Sequence, residues 1–229
     1  MNMSLSKDEL YTYLEKQLNN FFPDTSIVLK RTVMKSTFDL ALERLEYCLD
    51  SISIRGYHDE NGNSKFSHLH ADQYATFIWF LSNTIWKCEE NEDICCRLLQ
   101  LNRVLHQIFI SYKCCLPKHF FLGHPIGTIL GNAQYGEYLV VMQNVTVNTP
   151  PTDFGDEPLK LGKGCFLGAY SKIIGNKSVG NYVSMGINTM VYQKSIPDNS
   201  VVINSGNECI VRERKHKFCR AQQYFKDLI

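Results

Sequence analysis

His124 is the residue of this chain best suited to chemistry at neutral pH. It stands in the segment GHPIGTILG, one loop before the acidic run DFGDE that holds Asp156 and Glu157. An imidazole titrates near neutrality and can take a proton from a hydroxyl under physiological conditions. A second group of polar side chains, His68-x-His70-x-Asp72, opens the apolar stretch HLHADQYATFIWFLSNTIW.

The elements that must hold these residues are written in the period of the sequence. From Leu161 to Ile196 the chain reads as six hexads, LGKGCF, LGAYSK, IIGNKS, VGNYVS, MGINTM and VYQKSI. The first position is always aliphatic or Met, the second is Gly four times, and the fifth is mostly small or β-branched. A helix repeats every 3.6 residues or so and a strand every two, whereas a six-residue period suits a short strand and turn stacked on its own copies. The expected architecture is a β-helix, with first and fifth positions facing inward. Upstream, hexads can be phased at Tyr135, Val141 and Val147, while Leu130-Gly131 sits one residue out of step, which predicts a rung with an irregular corner. The segment TPPTDFGDEPLK carries three prolines and a glycine, cannot continue a rung, and is expected as an extruded loop over 148–160.

Glycine separates this part from the rest: only Gly56 and Gly62 precede residue 122, and twelve follow. Before the boundary, Ser6 with Glu9 makes a capping box, and Leu10, Tyr13, Leu14 and Leu18 follow one helical face. Further helices are expected from near Ser36 or Thr37, over the stretch that follows His70, and from Glu92 to Ser111. The chain is therefore read as α+β: an α-helical domain over 1–115, the β-helix over 116–204, and a basic, helical C-terminal tail over 205–229 with a solvated charged face.

A net charge of +1 gives no ground for nucleic acid or a membrane surface as a partner attracted by bulk charge. Nine cysteines, an odd number with two adjacent pairs and no paired C-x-x-C spacing, fit a reduced cytoplasmic chain and no metal framework. No stretch reaches the roughly 18 apolar residues of a membrane span.

H-P-I-G-T-I-L-G (124–131), V-M-Q-N-V-T-V (141–147), the extruded loop, G-A-Y-S-K-I-I-G-N (168–176) and I-P-D-N-S-V-V (196–202) follow in order. In these motifs and their spacing the chain resembles the hexapeptide-repeat acyltransferases, and among them the serine acetyltransferase type, over about half its length. The resemblance implies a left-handed β-helix, a trimer or dimer of trimers, and acetyl-CoA as co-substrate. It also implies direct transfer to an acceptor hydroxyl, with His124 as the catalytic base. Coenzyme A would lie against stacked rungs, which by position points to Gly168, Ala169, Ser171, Gly186, Ile187 and Thr189, with Lys194 for a phosphate.

The departures bear on the acceptor. Serine acetyltransferases carry an Asp before the catalytic histidine and an Arg-His pair before the proline after the loop; here Gly123 and Asp156-Glu157 stand in those places. Without the Arg, an amino acid's carboxylate lacks a bidentate partner and meets two acids instead. A sugar or sugar nucleotide, whose hydroxyls donate to carboxylates, is the expected acceptor, with serine the alternative. The family's orienting acid lies in a segment that does not align, leaving Asp72 and Glu157 as candidates, with His70 and Asp156 as substrate contacts. Helix capping is the competing account of Asp72. Two other readings remain at this point. His119 and His124 have the H-x4-H spacing of zinc carbonic anhydrases built on the same prism, though a third ligand is missing upstream. A non-enzymatic scaffold is the other, since serine acetyltransferases dock a partner through a C-terminal isoleucine and this chain ends in Ile229.

Overall fold

Four helices build the first of two units in the computed structural model, which describes residues 1–24, 31–148, 158–206 and 208–229. This unit comprises Met1–Asp50 and Arg55–Lys113, with α1 Lys7–Phe21, α2 Arg31–Asp50, α3 Ala71–Glu89 and α4 Glu92–His106. At the start of α1 the Ser6 hydroxyl accepts the Glu9 N–H at 3.3 Å and the Glu9 carboxylate accepts the Ser6 N–H at 2.8 Å, so two otherwise unpaired amides are satisfied. Every residue from Asp72 to Ile85 in α3 is buried, because α2 and α4 pack on it from different sides. Its polar side chains turn back on the backbone: Ser82 donates to the Trp79 carbonyl, Thr84 to Phe80 and Asn83 to Tyr112.

Two helix ends differ from the sequence expectation. The second helix starts at Arg31, ahead of Ser36 and Thr37, and the Thr37 hydroxyl bonds the Glu89 side chain instead of capping. The fourth stops at His106, short of Ser111, where Gln107 takes a left-handed conformation and Phe109–Ile110 becomes extended.

The second unit, Ser51–Ile54 with Cys114–Ile229, holds the β-helix. Eighteen positions separate Leu167 from Met185, and likewise Ile173 from Val191 and Leu161 from Val179, and each pair is joined in parallel register. Three hexads therefore make one turn of a coil with three faces. One face stacks Phe120–Leu122, Leu139–Val141, Phe166–Leu167, Ser184–Met185 and Ser200–Ser205; a second stacks Ile129–Leu130, Thr146–Asn148, Lys172–Ile174 and Met190–Tyr192. The third joins Tyr135, Leu161, Val179 and Ile196. First-position side chains fill the interior, and fifth-position Cys165, Ser171, Val183 and Thr189 are buried with them, whereas Ser195 in the last hexad is exposed. Glycine is required where rungs touch: a Cβ on Gly162 would stand 2.6 Å from the Asn181 nitrogen, and one on Gly168 2.6 Å from the Met185 oxygen.

Among the described residues after 204, only Arg220–Tyr224 is helical. Glu208–Glu213 instead runs antiparallel to Ser200–Ser205, because the last rung leaves an unpaired edge that the returning chain can satisfy. The tail then folds along the same face and pairs Phe225 with Ile52, which ties Ser51–Ile54 to this unit.

In the helical unit, the Asn102 side-chain amide donates to the Ala75 carbonyl at 3.0 Å, so its oxygen accepts the His106 Nδ1–H at 2.7 Å, which fixes the ring's tautomer. Burial lowers the His106 pKa from 6.5 to about 4, against the pull of Asp72. The folded value lies below the unfolded one, so this contribution is complete above pH 6.5 and is lost as pH falls toward about 4. Urea unfolding followed by helical circular dichroism should show stability falling by ~2 kcal/mol between about pH 7 and pH 4.5, with His106→Gln removing most of the fall. Equal falls in both proteins would place the acid sensitivity elsewhere.

Candidate active site

The rungs supply a regular edge, and His124 stands where that regularity breaks. Leu122 pairs with Val141 and Ile129 with Thr146, so seven positions on the first rung span the corner that five span on the second. Lower corners, from Leu167 to Lys172 and from Met185 to Met190, also take five. The two extra residues belong to the stretch His124-Pro125-Ile126. Its turn is closed by the Ile126 N–H donating to the His124 carbonyl at 2.7 Å, and the Asn144 N–H beneath donates to the Ile126 carbonyl at 2.8 Å. The bulge leaves His124 exposed at a backbone φ of 47°, on the outside of the prism edge. The out-of-step Leu130-Gly131 pair is the sequence trace of this corner.

Below it, the same edge carries Gln143, Ala169 and Ile187 on successive rungs, as the register at Val141, Leu167 and Met185 requires. Hydrogen bonds follow this column: the Tyr170 N–H donates to the Gln143 carbonyl at 3.0 Å and the Asn188 N–H to Ala169 at 2.9 Å. Beside the edge runs a groove of about 1010 Å³. One wall is the prism, with Met142, Phe166, Gly168, Ala169, Gly186 and Ile187; the other is the tail, with Arg214, His216, Lys217, Phe218 and Arg220. An apolar floor facing several cations suits an extended ligand with an apolar arm and anionic groups.

Four of the residues expected along the donor, Gly168, Ala169, Gly186 and Ile187, line this groove. Ser171 and Thr189 are each 1% exposed, and the Thr189 hydroxyl donates to the Gly186 carbonyl at 2.9 Å, so their side chains belong to the prism interior. Lys194 is exposed on a different corner and does not line the groove. Cations of the tail, expected as a solvated face, line it instead. Sequence reasoning passed over them because their partner surface lies far away in the chain, and it passed over Gln143 although the hexad alignment sets that residue level with Ala169 and Ile187.

His70 and Asp72 belong to the helical unit. His70 is the N-cap of α3, without a side-chain capping bond, and its ring meets Tyr57 edge-on at 5.6 Å. Asp72, two residues further on, is 6% exposed and lies within electrostatic reach of Tyr57 and His106. Burial, reinforced by Asp72, pushes the Tyr57 hydroxyl well above its ordinary pKa. Asp156 and Glu157 lie outside the described residues. His119 pairs its Nδ1 with Glu137 at 3.0 Å and stacks on Tyr138 at 4.8 Å; among the described residues no group of three His, Cys, Asp or Glu is placed to hold a metal.

No protein-family model matches the chain. A serine acetyltransferase of Staphylococcus epidermidis is 24% identical over 146 residues, covering 63% of this chain and 67% of that enzyme. Among solved structures, the serine acetyltransferase of Brucella abortus superposes with a TM-score of 0.67 at 21% identity, covering 89% of this chain and 82% of that one. A serine acetyltransferase in complex with CoA superposes at 0.61 and 17% identity, covering 79% and 75%. The likeness shows the fold, an N-terminal helical domain followed by a left-handed parallel β-helix.

Two side chains crowd the space beside Gly123. A Cβ at this position would stand 2.8 Å from Phe121 Cε1 and 2.9 Å from Met142 Sδ. Gly123→Asp is expected to cost about 1–3 kcal/mol by overpacking, read as a lower thermal midpoint, and Met142→Ala in the same chain should restore part of it. An unchanged midpoint for Gly123→Asp would mean that both side chains move aside freely.

Proposed function

We propose that this chain is a serine acetyltransferase-like hexapeptide-repeat acyltransferase that takes acetyl-CoA as co-substrate and passes the acetyl group directly to an acceptor hydroxyl with His124 as general base. The observation that carries the reading is the shared edge: an exposed imidazole on an extruded corner, directly above the rungs that wall the groove. One imidazole nitrogen takes the acceptor's proton as the oxygen bonds to the thioester carbon. The carbon–sulfur bond then breaks, and the departing thiolate takes the proton back. A base so positioned contributes roughly 10²- to 10⁴-fold.

Serine is the acceptor the relatives support, since those named above are serine acetyltransferases. A hydroxyl-rich sugar or sugar nucleotide is the second reading, supported by Gly123 and Asp156-Glu157, which depart from the Asp and Arg-His of the serine acetyltransferase motif. A homotrimer, or a dimer of trimers, is supported by large apolar side chains exposed at this edge and the adjoining face: Ile126, Tyr170, Ile187, Met190 and Tyr192. Nine free cysteines support a reducing, cytoplasmic setting, and no helix among the described residues is long and apolar enough to cross a membrane.

Thiol release from acetyl-CoA tests both halves of the reaction. His124→Ala should keep fold and CoA binding and lose transfer by about 10²-fold or more; near-normal turnover would remove His124 as base. In the native protein, serine should stimulate release above a panel of sugars and nucleotide sugars. A sugar nucleotide outperforming serine ten-fold, or about 1.4 kcal/mol in transition-state binding, would reverse the order of acceptors.

A further inference from the structure

Gln143 is the one polar side chain on the column formed with Ala169 and Ile187, one rung below His124. It lines the groove, and its Oε1 is fully buried with no hydrogen-bond partner among the described residues. A buried amide oxygen left unpaired is costly, and native structures keep few of them without a reason. A donor on a ligand in the groove would satisfy this oxygen once the side chain turns outward.

Resting on the acetyl-CoA reading above, we propose that Gln143 positions the donor by accepting the N–H of the amide nearest the thioester. Rungs repeat every ~4.8 Å. In the acyl carrier the first amide nitrogen follows the sulfur by two methylenes, which is about the same reach from the carbonyl carbon. With the thioester carbon at the His124 rung, that N–H arrives level with the Gln143 rung, and the remainder of the arm continues past Ala169 and Ile187. Gln143 thus sets the register of the donor along the prism, so that the electrophilic carbon stops at the base.

The test compares two small donors in the full-length protein, S-acetyl-N-acetylcysteamine, which has this amide, and S-butyl thioacetate, which lacks it. The native enzyme should prefer the amide donor by about 10-fold in kcat/KM, Gln143→Leu should level the two, and Gln143→Glu, which retains an acceptor oxygen, should keep the preference. CoA affinity by calorimetry should fall about 10-fold in Gln143→Leu, with kcat at saturating acetyl-CoA changed far less. Gln143→Leu retaining the preference, or altering only the acceptor's KM, overturns the proposal. A native enzyme active on acetyl-CoA but indifferent to the amide also overturns it and leaves the acetyltransferase reading intact. A native enzyme that releases no thiol from acetyl-CoA removes both.

Discussion

Contact between stacked backbones is the constraint on which the prism depends. Each rung hydrogen-bonds to the next across parallel strands of two or three residues, too short to tolerate any drift in register. Where rungs meet most closely, as at Gly162 and Gly168, even a methyl group would separate them. The six-residue period follows: each face needs an inward aliphatic side chain, and each corner must bring the chain back to the same height after eighteen residues.

A scaffold held this tightly offers few places for chemistry, and the proposed base stands where the repeat is broken. Two added residues at one corner leave the strands on both sides in register, so the disturbance stays local. They lift His124 off the edge while Gln143, Ala169 and Ile187 hold the line beneath it. The opposite wall of the groove comes from a segment with no repeat, whose arginines and lysine supply the positive charge the prism face lacks.

What was legible in the sequence divides along the same line. The β-helix could be read because its determinants are local and periodic, and the bulged corner left its mark as a pair out of phase. His124 stood out through the motif that surrounds it. The course of the tail was not legible, since Arg220–Tyr224 is positioned by a prism face built from residues as distant as Phe121 and Phe166, and no local pattern encodes that packing. The start of α2 was misplaced for a related reason: Thr37 has the chemistry of a cap, but its hydroxyl answers to Glu89, more than fifty residues away. Ser171 and Thr189 were assigned to the ligand by position along the repeat, and only their burial distinguishes the interior of the coil from its wall.

The reversal of direction at the end of the coil has a consequence for the life of the protein in a crowded solution. A stack of parallel strands presents at its last rung a template on which another parallel strand could be laid, which is how fibres elongate. Glu208–Glu213 occupies that edge of one face with a strand of opposite polarity, and its own outer rim carries Glu208, Arg212 and Glu213. A second molecule arriving end-on at this face meets the wrong chain direction and a charged border. Growth by stacking is disfavoured on that face, where the returning strand covers the open edge of the last rung.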